Sequence, residues 1–184
     1  MQTIPAIQPE HADISTKRLL DGVNKERGGL SNMIKTMAQS PRALEGYLCF
    51  RKALGGSSLT PQIREQIALT VAQTNLCEYS LAEHGHLAAQ LGLPNAEILA
   101  SSEARANDRK TESVLRFARG LAAGRGEGSA VELKERGYSD ADIIDVIALV
   151  ALNVFENLVN DVARTSMDAE LGAFGERWLT ASSR

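Results

Sequence analysis

The sequence predicts an all-α protein, built as one domain of eight to ten closely packed helices. Its 184 residues are enough for a single hydrophobic core. Hydrophobic residues make up 43% of the chain, as in ordinary soluble proteins, while aromatic residues make up only 4%. Alanine and leucine are abundant instead, and they recur at helical spacing between Gly- and Pro-containing breaks, which favours packed helices.

Two prolines near the N-terminus separate an arm from the domain. Pro5 and Pro9 interrupt any helix there, so residues 1–12 are predicted as an extended N-terminal arm and residues 13–184 as a single domain. Capping residues before the apolar segments, and Gly or Pro after them, set the helix boundaries. The predicted helices cover residues 15–26, 31–39, 41–54, 60–74, 75–91, 94–100, 108–123, a short segment ending at 136, 139–164 and 168–179.

Three of these segments carry further expectations. Cys49 is predicted to be a small buried hydrophobic residue, because leucines and a phenylalanine surround it. Ser139 and Asp142 form a capping-box pattern that opens the long apolar helix 139–164. The glycine-rich segment 124–128 is not a phosphate loop, since no Gly-Lys-Ser/Thr follows it.

Charge and composition exclude several classes of function. The net charge is −3 and the basic residues are scattered, which argues against nucleic-acid binding. No secretory signal is visible, and no apolar run approaches the roughly 20 residues of a membrane span. Two cysteines, Cys49 and Cys77, do not make a disulfide scaffold, so a reduced, cytoplasmic setting is expected. No motif indicates a cofactor or a metal ion.

Residues 60–91 are the stretch around which the prediction is organised. Asn75, followed three residues later by Glu78, resembles a capping box, so one helix is predicted to end near Thr74 and a second to begin there. Cys77, Ser80 and His84 then share the inward face of the second helix. Five residues are predicted to face outward: Glu78, Tyr79, Glu83, His86 and Gln90.

The preceding helix supplies a partner for His84. Glu65 lies within an apolar stripe, where a solvated carboxylate is not expected. If the chain folds back at Asn75, Glu65 comes opposite His84, whereas in one continuous helix they would be roughly 28 Å apart. The same bend puts the N-terminus of the second helix beside Cys77, where the helix dipole favours a thiolate.

Glu65, Cys77, Ser80 and His84 at these spacings resemble the carboxymuconolactone decarboxylase and alkyl hydroperoxidase D (AhpD-like) superfamily. Its redox-active members carry Glu-x11-Cys-x2-Cys-x3-His, and residues 59–93 resemble the core of that family. The resemblance implies an AhpD-like helical bundle and a homo-oligomer, often a trimer or hexamer. It also implies that Glu65 and His84 relay protons and that Cys77 corresponds to the resolving thiol.

This sequence departs from the family pattern at Ser80, which replaces the cysteine that attacks the peroxide in redox-active relatives. The resemblance therefore implies a peroxiredoxin-type antioxidant oxidoreductase with a single working thiol, Cys77, a hydroperoxide substrate and an external thiol reductant. Its decarboxylase branch implies a second hypothesis, acid–base chemistry by His84 and Glu65 on a small lactone or carbonyl acid. A non-catalytic helical oligomer is the third.

Two other readings of the same residues are weaker. Ser80 with His84 as base and Glu65 as orienter has the residue types of an esterase, but no oxyanion hole is evident. A metal site is weaker still, because His84 and His86 face apart and Cys77 with His84 gives only two ligands.

A shift of 80 positions aligns the core with a second segment and suggests two related helical halves. Glu65 then falls on Asp145, and the inward-facing residues fall on polar ones: Cys77 on Asn157, Ser80 on Asn160 and His84 on Arg164. The second copy would have lost the thiol chemistry, and its asparagines 153, 157 and 160 would need polar partners, for example at a subunit contact.

Overall fold

A computed structural model describes residues 2–124 and 128–172. Within these ranges the chain is all-α, as predicted, and no strand occurs. After a single 3₁₀ turn at Pro9–His11, the helices are α1 Ile14–Arg27, α2 Asn32–Met37, α3 Pro41–Leu54, α4 Pro61–Thr74, α5 Glu78–Gln90, α6 Asn95–Ser102, α7 Arg109–Ala122, α8 Ala130–Glu135 and α9 Asp140–Ala163. Residues 169–172 of the predicted terminal helix are helical, and its remainder lies outside the described residues.

The helix N-termini form where short polar side chains replace the missing backbone acceptors. Side chains of Asp13, Ser31, Ser40, Thr60, Asp108, Ser129 and Ser139 each accept a hydrogen bond from a backbone N–H in the first turn of the helix that follows. The predicted capping box of α9 is confirmed, because Ser139 and Asp142 exchange hydrogen bonds in both directions.

Helix α4 is the centre of the bundle, and its packing positions the inward face of α5. Every residue from Gln66 to Ala72 is buried, and the helix packs against α5, α6, α7 and α9. A helix that is buried nearly all round must be covered on several sides, which is what these four neighbours do. None of the described helices is long and apolar enough to span a membrane.

The N-terminal arm lies along its own chain. Backbone N–H groups of Thr3 and Ile4 donate to the carbonyl of Ala163 at the end of α9, and Ile7 donates to Lys35 in α2. On its outer face α9 leaves an exposed apolar stripe of Ile144, Ile147, Phe155, Leu158 and Val162. The homo-oligomer stays a prediction.

The prediction for Cys49 is wrong, because its side chain is exposed. Helix α3 buries Leu44, Tyr47 and Leu54, and Cys49, two residues after Tyr47, is rotated by about 200° to the opposite side. The apolar neighbours in sequence, Leu48 and Phe50, are themselves only partly covered, so they did not mark a buried face.

The 80-residue shift relates α4 to the first part of α9 but extends no further. The bend at Asn75 corresponds to Phe155, which lies inside the continuous helix α9. No second helix pair therefore exists in this segment. The three asparagines also lie within the fold, where each is at most 5% exposed.

Candidate functional site

The turn between α4 and α5 is built differently from the prediction. Asn75 is the C-cap of α4 and not the N-cap of α5, so the expected capping box with Glu78 is wrong. Leu76 takes a left-handed conformation (φ 56°), the N–H of Cys77 reaches back to the carbonyl of Ala72 at 2.9 Å, and α5 begins after Cys77. This is a Schellman C-cap with leucine in the position that usually holds glycine.

The fold-back itself occurs as predicted and brings Glu65 to His84. The Nδ1 atom of His84 lies 2.8 Å from Oε2 of Glu65, and His84 is only 3% exposed. The side chain of Glu65 keeps 17% of its surface exposed, so the carboxylate lies at the edge of the core.

A second carboxylate, which the sequence analysis missed, lies on the other side of the imidazole. Oε2 of Glu156 in α9 is 3.3 Å from Nε2 of His84, and Glu156 is 1% exposed. Tyr47 donates its hydroxyl proton to Oε1 of Glu156 at 2.5 Å, and Nη1 of Arg51 donates to the same oxygen at 3.2 Å. The signal was available, since Glu156 interrupts the apolar side of α9 just as Glu65 interrupts that of α4.

These partners determine which groups are charged. Burial alone would lower the pKa of His84, but the carboxylates of Glu65 and Glu156 outweigh it and raise that pKa to about 10. Burial would raise the pKa of Glu156, yet the hydrogen bond from His84 and the charge of Arg51 hold it well below its usual range. Burial, reinforced by the charge of Glu156, raises the pKa of Tyr47, so the phenol stays protonated as a donor. At neutral pH the site therefore holds an imidazolium between two carboxylates.

The thiol end of the site lies at the start of α5. Cys77 and Ser80 are 6% and 1% exposed, and the Cys77 thiol donates to the Ser80 hydroxyl oxygen at 3.3 Å. Nδ2 of Asn160, from α9, donates to the same oxygen at 3.2 Å. Oδ1 of Asn160 is buried without a hydrogen-bond partner, as are both polar atoms of Asn157. Asn160 and Asn157 are the residues that align with Ser80 and Cys77 when the sequence is shifted by 80 positions.

The structure thus gathers the four predicted residues where α4 packs against the inward face of α5 but divides them into two contact groups. Glu65 and His84 line a cavity of about 150 Å³, whereas Cys77 and Ser80 do not. The other lining residues are Arg51, Leu54, Gly55, Arg64, Ala68, Leu149, Leu152, Asn153 and Glu156. Ser80 precedes His84 by one helical turn, a spacing that puts their Cβ atoms about 5–6 Å apart.

Three of the outward-facing predictions on α5 need comment. Tyr79 and Glu83 are buried, so both expectations are wrong. Tyr79 lies under α2, where its hydroxyl donates to Asp168 at 2.5 Å and accepts from the N–H of Met33 at 3.2 Å. His86 points away from His84 as expected, with its Nε2 atom 2.9 Å from Nε2 of Gln90. Across residues 2–124 and 128–172, no cluster of three or more His, Cys, Asp or Glu side chains is suited to hold a metal ion.

Comparison with known proteins finds one matching family model. Residues 41–124 match the family model of the carboxymuconolactone decarboxylase family. This matched segment resembles that family, and it makes up a little less than half of the chain. The match covers α3 to α7 and contains Glu65, Cys77, Ser80 and His84, but it leaves out α9 and therefore Glu156 and Asn160. No curated protein matches the chain significantly in sequence.

Solved structures share the fold over nearly the whole chain. A peroxidase-related protein of Ralstonia eutropha JMP134, described as an alkylhydroperoxidase AhpD core, is 19% identical with a TM-score of 0.82, covering 95% of this chain and 96% of that one. A peroxidase-related protein of Silicibacter sp. TM1040 is 23% identical with a TM-score of 0.73, covering 91% and 94%. The debrominase Bmp8, in complex with 2,3,4-tribromopyrrole, is 18% identical with a TM-score of 0.81, covering 97% and 98%.

Proposed function

We propose that this protein is a thiol oxidoreductase that reduces small hydroperoxides with Cys77 as its only working thiol. The observation that carries the proposal is the position of Cys77. It is the N-cap residue of α5 and contacts the hydroxyl group of Ser80, which lies one turn before an imidazolium held by two carboxylates. Both peroxidase-related proteins of similar fold support the same class of chemistry.

The first step forms a sulfenic acid on Cys77. The thiolate attacks one oxygen of the hydroperoxide, the O–O bond breaks, and one proton is taken up, so that Cys-S⁻, ROOH and H⁺ give Cys-SOH and ROH. Cys77 is the N-cap residue of α5, so the residue that carries the attacking sulfur lies at the positive end of the helix dipole. Ser80 assists as a hydroxyl donor once the thiol has lost its proton.

The proton reaches the departing oxygen from the charged half of the site. His84 carries a proton on each ring nitrogen, and Glu65 at the edge of the core connects it to solvent. Ser80 lies between His84 and Cys77 on the same helix face. A general acid on the same helix face contributes by neutralising the alkoxide as it forms.

An external thiol completes the cycle, because Ser80 cannot form a disulfide. One thiol molecule condenses with the sulfenic acid to give a mixed disulfide and water, and a second releases Cys77 as the thiol and leaves as the oxidised disulfide. A low-molecular-weight thiol or a dithiol supplies both equivalents.

The test is peroxide consumption in the presence of a dithiol. The native protein and Cys49→Ser are expected to consume peroxide at equal rates, while Cys77→Ser is expected to be inactive. The Cys49→Ser variant is the matched control, because Cys49 is an exposed thiol that could react without any site around it. A native protein without activity, together with an active Ser80→Cys variant, would show that the serine has abolished this chemistry.

The cavity at His84 favours a second candidate, acid–base chemistry on a small lactone or carbonyl acid. Its volume of about 150 Å³, with Arg51 and Arg64 beside Glu65 and His84, fits a small polar substrate and does not include the thiol. In this case His84→Gln abolishes turnover of the lactone or carbonyl acid and Cys77→Ser retains it, whereas Cys77→Ser abolishes peroxide reduction by the thiol. Comparing these two variants on both classes of substrate decides between the candidates.

A further inference from the structure

We propose that Asn160 and Ser80 form a site that holds the oxygen atom of oxidised Cys77 and makes its sulfenic acid long-lived. The inference rests on the proposed function and names the group that this chain uses in place of a second cysteine. It comes from Oδ1 of Asn160, a buried polar atom that has no hydrogen-bond partner among the described residues.

Three atoms, joined by two successive hydrogen bonds, define the site. Cys77 Sγ lies 3.3 Å from Ser80 Oγ, which lies 3.2 Å from Nδ2 of Asn160. In the reduced state Ser80 accepts from both neighbours. Oδ1 of the same amide has no hydrogen-bond partner, although Asn160 is only 4% exposed. A buried acceptor without a donor costs about 1–3 kcal/mol, so a group that donates to it is favoured.

The sulfenic acid supplies such a donor. Oxidation replaces the thiol proton by a hydroxyl group, whose O–H donates to Oδ1 of Asn160. Ser80 loses the hydrogen bond from the thiol and is free to donate its own proton to the new oxygen. Oxidation thus exchanges one hydrogen bond from the thiol for two hydrogen bonds of the new hydroxyl group, which stabilises the oxidised form selectively.

Burial completes the argument for a long lifetime. Cys77 is 6% exposed, and the other cysteine of the chain, Cys49, is exposed on α3 and not in the core. With no thiol beside it, the sulfenic acid persists until an external thiol arrives. A protein with one working thiol needs this persistence, because the second half of its cycle waits for a bimolecular encounter.

The experiment measures the lifetime of the sulfenic acid in a Cys49→Ser background. The protein is oxidised with one equivalent of hydrogen peroxide and then unfolded at intervals in dimedone. Intact-mass spectrometry counts the labelled fraction. Asn160→Leu is expected to shorten the lifetime about tenfold, the equivalent of one lost hydrogen bond.

Two further variants separate a specific contact from a general disturbance. Asn157→Leu changes a comparably buried amide of α9 that makes no hydrogen bond to Ser80 or to any other described residue, and it is expected to leave the lifetime unchanged. Asn160→Asp keeps an acceptor for the sulfenic acid but puts negative charge near the thiolate. It is therefore expected to slow the formation of the sulfenic acid while preserving its lifetime better than Asn160→Leu does.

The outcomes are distinguishable. If hydrogen peroxide leaves Cys77 unlabelled in the native sequence at every time point, the thiol function itself is wrong. If Cys77 is labelled but Asn160→Leu has the native lifetime, only the role of Asn160 is overturned. Equal shortening by Asn157→Leu and Asn160→Leu also overturns it, since it would trace the effect to core packing.

Discussion

The inward face of α5 has a neutral end and a charged end. At the neutral end, in the first turn, the Cys77 thiol and the Ser80 hydroxyl lie beside the amide of Asn160. At the charged end, one turn beyond Ser80, the imidazole of His84 lies between two carboxylates. At the charged end each nitrogen of His84 has a carboxylate, and Glu156 has three donors. At the neutral end Oδ1 of Asn160 has no partner. Burying an ion without a partner costs far more free energy than burying an amide without one. The neutral end can therefore keep an atom without a hydrogen-bond partner, available to a reacting group, and the charged end cannot.

The largest expected effect comes from breaking the charged end. Glu156→Leu removes the acceptor of Tyr47 and Arg51 and one of the two carboxylates at His84, so the free energy of unfolding is expected to fall by about 3–5 kcal/mol. Urea titration at neutral pH measures the loss. Glu65→Leu is the matched control, and its loss is expected to be smaller because that side chain is partly solvated. Equal losses would show that burial does not set the difference.

The next effect is a dependence of stability on pH. Because folding raises the pKa of His84 from 6.5 to about 10, the stabilisation from its charge is complete below pH 6.5 and is lost as the pH rises towards 10. Because folding lowers the pKa of Glu156, its contribution is present above pH 4.5 and is lost at lower pH. Stability from these groups is therefore greatest between about pH 4.5 and 6.5.

Chemical denaturation between pH 5.5 and 10 tests the alkaline half of this profile. The native protein is expected to lose stability steadily across the range, and His84→Gln is expected to flatten the decline. A native profile that stays level up to pH 10 would mean that the imidazole is neutral when the protein is folded.

The smallest expected effect lies near the neutral end. Asn157→Leu removes two buried polar atoms that have no partner, so it is expected to raise the free energy of unfolding by about 1 kcal/mol. Asn153→Leu is the control, because Nδ2 of Asn153 donates to the Leu149 carbonyl at 2.8 Å and its loss offsets any gain. A loss of stability in Asn157→Leu would indicate that this amide has a partner in solution.

Sequence reasoning recovered the helices and half of the contacts of the site. Capping residues and glycines are local signals, so α3 was predicted at Pro41–Leu54 and the capping box of α9 at Ser139. The contact between Glu65 and His84 could be predicted because the two residues are about equally far along the chain from the predicted bend at Asn75. The type of bend did not follow, because a leucine at positive φ has no sequence signature, and Asn75 with Glu78 imitated a capping box.

What the sequence alone determined is the set of helices and the identity of the residues on the inward face of α5, since both depend on spacing along the chain. Only the tertiary structure decided that Glu156, which is 72 positions from His84, holds its second nitrogen. It also decided that Asn160 contacts Ser80, that Tyr79 is buried and that Cys49 is not. The physical reason is that a side chain is buried only when a second surface covers it, and the sequence of a single helix does not specify which neighbour that is.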